Sequence, residues 1–149
     1  MGYKNHEGYS DPTTGAALAN IMREYRAQRR ESWKRQYEIR NRPKVYVVSR
    51  YAGDVEKNVA DAIRCCRFVI GKKMIPIASH LLYPAMCDDA VPEERELGTQ
   101  FGLALLAVCD QVWIFTDAGF LSPGMQAERQ EAKRLNKPIR YFDLKEVVS

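Results

Sequence analysis

The chain has 149 residues, 46% of them hydrophobic and 28% charged, with a formal net charge of +4. That balance excludes a disordered tail, and the length suits one hydrophobic core rather than several. No apolar run approaches the roughly 20 residues that a bilayer span requires, and the opening MGYKNHEGYS carries no apolar leader, so a cytoplasmic protein without membrane association is expected.

In chain order, the first feature is a basic arm. Residues 1–42 hold nine Lys or Arg against five Asp or Glu, whereas residues 43–149 hold fourteen of each, so the whole excess charge lies in the arm. Its start reads as disordered to about Tyr9. A helix then begins near Asp11-Pro12-Thr13-Thr14, where Asp or Thr caps and Pro suits the first turn, and it ends before Pro43. Leu18, Met22, Tyr25, Trp33 and Tyr37 form a stripe broken by Arg29, which calls for a covering surface, either the domain body or a second subunit. Glu24, Glu31 and Glu38 interrupt the basic residues and weaken any phosphate-tracking surface, so packing or self-association is favoured over nucleic-acid binding.

From Pro43 onward, short apolar runs alternate with helical segments, the pattern of βαβ units around a parallel sheet. Strands are expected at 44–49, 74–78, 111–116 and 138–142, and helices at about 55–71, 93–108 and 124–136. Pro76 and Pro138 place their strands at a sheet edge or at a strand start. The inward stripes read as Val59, Ala62, Ile63, Cys66 and Val69 or Ile70 on the first of these helices. On the next they read as Leu97, Phe101, Leu105 and Val108. Right-handed crossovers then give an α/β three-layer sandwich, flavodoxin-like or Rossmann-like, with a short parallel sheet in the order 2-1-3-4 preceded by the helical arm. Two domains follow, an arm over 1–42 and an α/β domain over 43–149. The cysteines Cys65, Cys66, Cys87 and Cys109 contain no CxxC pair and no repeated Cys/His spacing; reduced, mostly buried thiols are expected, with no metal and no cofactor.

Ligands of such sheets bind beyond the carboxyl ends of the strands. This rule selects Ser49, Arg50, Tyr51, Gly53 and Asp54 after the first strand, Ser79 and His80 after the second, Thr116 and Asp117 after the third, and Ser122, Gly124 and Met125 where the last helix begins. The first turn lacks both G-x-G-x-x-G and G-x-x-x-x-G-K-[ST], which excludes a dinucleotide or triphosphate cradle of those types. Asp54 reads equally as a helix cap, Arg50 as half of a salt bridge, and His80 as a hydrogen-bonded core imidazole. The turn before the last helix offers free backbone N–H groups to an anion. Glu128, one turn into that helix, is either a charge that complements the helix dipole or a nucleophile aimed at an electrophilic sugar carbon. In the long loop after His80, Tyr83, Cys87, Asp88 and Asp89 lie where loops commonly cover ligands.

Several stretches together resemble the nucleoside 2-deoxyribosyltransferase superfamily, especially its small phage and bacterial relatives. They are Ala107 to Phe115, Ser122-Pro123-Gly124-Met125-Gln126-Ala127-Glu128, Ala132, Lys137-Pro138-Ile139, the first strand from Val45 to Asp54, and His80-Leu81-Leu82-Tyr83-Pro84. The resemblance spans about 44–143 and leaves the arm outside. It implies that Glu128 displaces the base from C1′ of a deoxyriboside and that a second base or water captures the sugar; the leading reading of the residues adds a deoxyribonucleoside or its 5′-monophosphate as substrate, with His80 or Asp117 assisting the base. The resemblance also implies a homo-oligomer whose pockets are completed by a neighbour. One departure stands out: relatives commonly carry an acidic residue about eight positions before the Asp matched by Asp110, where this chain has Gly102. Asp117, or Asp88 and Asp89, are the carboxylates available in its place. The alternative is a catalytically inactive nucleotide-binding or sensor protein on the same fold.

Overall fold

The computed structural model describes Gly8 and residues 12–147; the expected disorder of the first residues lies largely outside them. The chain divides into two compact units, Met1–Asn41 and Arg42–Ser149. The first contains one long helix, α1 (Pro12–Arg40), with Pro at its first position as helix starts favour. Its stripe residues Leu18, Met22, Tyr25, Trp33 and Tyr37 are exposed. Trp33 and Tyr37 stack with centroids 5.4 Å apart, and the Arg29 guanidinium lies 5.8 Å from the Tyr25 ring centroid.

The second unit alternates strands and helices: β1 (Lys44–Val48), α2 (Val55–Gly71), β2 (Ile75–Ile77), α3 (Pro92–Val108), β3 (Gln111–Thr116), α4 (Pro123–Arg134), β4 (Ile139–Asp143) and a short α5 (Leu144–Val147). The four strands form one parallel sheet in the order β2-β1-β3-β4, as the crossover rules require. Pro76 accordingly sits in an edge strand, and Pro138 immediately precedes the other. Asp110 aligns β1 with β3: its carboxylate accepts from the Lys44 amide at 2.7 Å, and its own amide donates to the Lys44 carbonyl at 2.8 Å.

Alternation along the strands divides the core into two layers. Val45, Val47, Trp113 and Phe115 pack with Cys65, Val69 and Val147 on the α2 and α5 side. Tyr46, Val48, Val112 and Ile114 pack with Leu106, Met125 and Ala132 on the α3 and α4 side. Tyr46 therefore points toward the same layer as α4, which matters below.

Two helices differ from their expected facing by about one residue. On α2 the buried residues are Asn58, Asp61, Ala62, Cys65 and Val69, while Ile63 and Ile70 are exposed. The reason is polar: the Asn58 amide donates to the carbonyls of Tyr51 at 2.9 Å and Ala52 at 3.0 Å, binding the strand-to-helix turn to the helix, and Asp61 pairs with Arg64 at 3.1 Å. On α3 the buried residues are Gly102 and Leu106, whereas Leu97, Phe101 and Val108 are exposed and Leu105 is only partly covered. Gly98 and Gly102, one turn apart, form the face of α3 that closes on the segment after β2, and the Phe101 ring packs instead on Tyr83 at 5.4 Å between centroids. Among the described residues, no helix is long and apolar enough to cross a membrane.

Candidate active site

A cavity of about 390 Å³ opens at the carboxyl ends of β1 and β2, between the loop after β2, α3 and the beginning of α4. The loop folds as two 3₁₀ turns, Ser79–Leu81 and Tyr83–Ala85, which bring His80, Tyr83 and Cys87 to the cavity wall. Asp89 and Arg95 also line it.

The start of α4 determines what faces this space. Ser122 caps the helix, its hydroxyl accepting from the Met125 amide at 3.3 Å, and its carbonyl accepts from Gln126 at 2.9 Å. Pro123 has no N–H, so the Gly124 amide is the first-turn donor left open to a ligand among the described residues, a narrower anion contact than the sequence implies. Met125 and Ala132 turn into the core, and Glu128, three residues beyond Met125, shares their inward side of the helix. Its carboxyl thus enters the cavity rather than the solvent. Oε2 is closed off from water and has no hydrogen-bond partner. Burial pushes the carboxyl up to about 7, and hydrogen bonding from the Tyr46 hydroxyl pulls the other way. The Tyr46 phenol is itself pushed above its ordinary range by burial and by the facing Glu128 charge, so it remains a proton-bearing donor at any ordinary pH. Tyr46 and the Ser79 hydroxyl are 2.7 Å apart.

His80 is tied down by Ser49, with 3.0 Å between the Ser49 hydroxyl and Nε2, and its ring lies 6.4 Å from that of Tyr51. Burial lowers its pKa to about 4. The imidazole is therefore neutral at pH 7, and its contact with Ser49 is a hydrogen bond without charge.

The cavity thus collects Glu128, His80, Tyr51, Ser122 and Gly124, with Ser49 behind His80. The other expected site residues lie elsewhere. Arg50 turns back on its own loop, its Nε donating to the Ala52 carbonyl at 3.1 Å and its guanidinium lying 5.1 Å from the Phe120 ring centroid. Gly53 has a φ of +103° and leaves room for that guanidinium, which a Cβ would meet at 3.3 Å. Asp54 caps α2 by accepting from the Lys57 amide at 3.2 Å. Asp117 stands at a tight turn closed by the Phe120 amide, and with Arg50 and Met125 it lines a separate hollow of about 40 Å³. Asp88 accepts from the Ala90 amide at 2.9 Å, which leaves Asp89 as the second carboxylate at the Glu128 cavity.

Tyr46 and Arg95 are cavity residues that escaped the sequence reading, whereas Ser79 stands where the strand-end rule put it. A signal existed for Tyr46, because a phenol inside a buried valine strand needs a partner for its hydroxyl. Arg95 offered none, since its placement depends on how α3 meets the loop.

Parallel strands in this order, with a buried carboxylate near the start of the fourth helix, define a flavodoxin-like α/β domain with a cavity at the carboxyl ends of its strands. Residues 43–142 match the family described as "Domain of unknown function (DUF7768)", and the chain belongs to that family. No curated protein matches it. The fold is similar to that of the 2-deoxyribosyltransferase of Bacillus psychrosaccharolyticus, with a TM-score of 0.57 and 13% identity, covering 67% of this chain and 72% of that one. A 2-desoxiribosyltransferase from Leishmania mexicana gives a TM-score of 0.49 and 15% identity, covering 68% of this chain and 64% of that protein's, less than two thirds of its length. At such identities the likeness is one of fold.

Proposed function

We propose that the Arg42–Ser149 unit cleaves the N-glycosidic bond of deoxyribonucleosides or their 5′-monophosphates, by transfer to a second base or to water, with Glu128 as nucleophile. The observation that carries this reading is the Glu128 carboxyl itself, buried in the cavity wall with Oε2 unpartnered. Such a group is costly to retain in a core unless it acts on a ligand. The ionised carboxylate attacks C1′, the C1′–N bond breaks, and the departing nitrogen takes the electron pair and a proton from water. Water or an acceptor base then attacks C1′ and returns the carboxylate, losing a proton to solvent. Tyr46 stabilises the ionised carboxylate, His80 hydrogen-bonds without carrying charge, and the Gly124 amide with Arg95 supplies the donors for a 5′-phosphate.

The test is incubation with a panel of deoxynucleosides and deoxynucleotides, with and without acceptor base, following free base and exchanged nucleoside. Turnover by the native chain, abolished in Glu128→Ala, and a deoxyribosyl adduct on Glu128 by mass spectrometry are expected; no turnover, or turnover undiminished by the substitution, overturns the reading. A second reading, a nucleotide-binding protein without catalysis, is favoured by Gly102 and by the distance of Asp117 from the cavity. It calls for tight binding by calorimetry with no product after long incubation. We further propose that the exposed α1 stripe associates with a second copy of the chain.

A further inference from the structure

Helix α3 carries two apolar faces, and the α/β unit uses one of them. Gly102 and Leu106 are buried on the side that meets the sheet and the loop after β2. Leu97, Phe101 and Val108 are 50%, 43% and 65% exposed, and with the exposed Ala104 they recur every three or four residues along the other side. At about 100° per residue, Leu106 lies about 180° around the helix from Leu97, so this second stripe points directly away from the core. A helix on the outside of a layered domain is polar toward solvent; one that is apolar on both sides is covered on both.

The two ends of α3 differ in charge. Asp88, Asp89, Glu93, Glu94 and Glu96 surround its start, and Arg95 is the one cation from 88 to 96. The other end stops at the amino edge of the sheet. Asp110, two residues beyond Val108, holds the Lys44 backbone through both of its contacts, and Lys137 stands next to Pro138, whose carbonyl accepts from the Val112 amide at 2.9 Å. Lys133 in the last turn of α4 adds a third cation at that edge. The acidic and basic ends are about 25 Å apart, the length of a 17-residue helix. An apolar stripe with one acidic and one basic end matches a copy of itself turned end for end, and meets like charges at both ends of a parallel copy. Opposed helix dipoles favour the same direction.

We propose that the outward stripe of α3 docks on α3 of a second copy of the chain, antiparallel about a two-fold axis near Phe101 and Ala104. Leu97 then packs on the second copy's Val108 and Phe101 on its Ala104, each pair occurring twice, and the acidic start of each helix meets the lysines beside the end of the other. This surface is separate from the α1 stripe and does not depend on the chemistry proposed for Glu128.

The experiment is sedimentation equilibrium on the full chain at low ionic strength, in a Trp33→Glu, Tyr37→Glu background that takes the α1 stripe out of play. The background is expected to remain dimeric. Adding Leu97→Glu with Val108→Glu is expected to raise the dimer dissociation constant at least about a hundredfold, since two apolar side chains per copy lose their burial and like charges face each other. Both positions are largely exposed within one chain, and circular dichroism checks that the variant is folded. Direction is tested by charge exchange: Glu93→Lys with Glu94→Lys, and separately Lys44→Glu with Lys137→Glu, each weaken association alone. An equimolar mixture of these two proteins restores it, because opposite charges then meet at both ends. A monomeric background, which assigns all association to α1, overturns the proposal. So does a dimer that survives Leu97→Glu with Val108→Glu, or a pair of charge variants that mixing does not rescue.

Discussion

Glu128 and His80 share one cavity and titrate with opposite consequences for stability. Burial raises the Glu128 carboxyl from 4.5 to about 7. Between those values the native state holds a proton that the unfolded chain has released, and stability falls as pH rises. Burial lowers His80 from 6.5 to about 4. Over nearly the same interval the unfolded chain binds a proton that the native state excludes, and stability rises with pH. At about 1.36 kcal/mol per pH unit, each displacement is worth about 3 kcal/mol. The two slopes offset each other in the wild type. Glu128→Gln preserves the shape and removes the titrating carboxyl, so its stability relative to wild type is expected to be unchanged near pH 4.5 and about 3 kcal/mol higher at pH 8, where the wild type carries a buried charge. His80→Gln removes the other slope; relative to wild type it gains about 3 kcal/mol below pH 4 and nothing at pH 8. Urea denaturation followed by circular dichroism across this range measures both, and the difference from wild type cancels the titration of all other groups. A Glu128→Gln difference that stays constant with pH refutes the claim that this carboxyl is buried in the native protein.

Tyr46→Phe removes the hydrogen bonding that opposes the burial of Glu128, so the acid limb of the activity profile moves up by about one pH unit, the equivalent of about 1.4 kcal/mol, and turnover at pH 7 falls roughly fivefold; an unchanged limb contradicts the contact. Asp54→Ala deletes the α2 cap and costs about 1 kcal/mol in chemical denaturation, while nucleotide affinity by calorimetry stays at the wild-type value. Cys87 lines the cavity, whereas Cys65 and Cys109 are buried with thiols pushed up to about 12 and about 11. Maleimide labelling read by mass spectrometry should therefore modify Cys87 before those two, and a bound nucleotide should protect it. Trp33→Glu with Tyr37→Glu places charge in the exposed α1 stripe, and sedimentation is expected to show a smaller assembly than wild type; an unaltered sedimentation coefficient removes α1 from the interface.

Much of the fold was legible because it depends on local pattern. Valine-rich runs bounded by turns marked β1 and β3, the spacing of apolar and polar segments marked α2 to α4, and handedness then ordered the strands without further information. Glu128 was legible for the same reason: a carboxylate one turn past a Ser-Pro-Gly start has its height above the sheet set by helix geometry. The helix facings were legible only in part. Hydropathy placed Ala62 and Val69 of α2 correctly but assigned Ile63 inward there and Leu97, Phe101 and Val108 inward on α3, whereas Asn58, Asp61 and Gly102 are buried. A polar side chain is buried when a distant backbone offers it a hydrogen bond, and a glycine is buried when another segment must come close; neither condition is written in the residues around it. The same holds for the site. Arg50, Asp54 and Asp117 stand at strand ends as expected, but the rotamer and the nearest partner decided which way they turned, and Phe120, Lys57 and a tight turn drew them away from the cavity. Chain order determined which elements meet; the approach of α3 to the loop after β2, a contact between segments about twenty residues apart, determined which atoms surround Glu128.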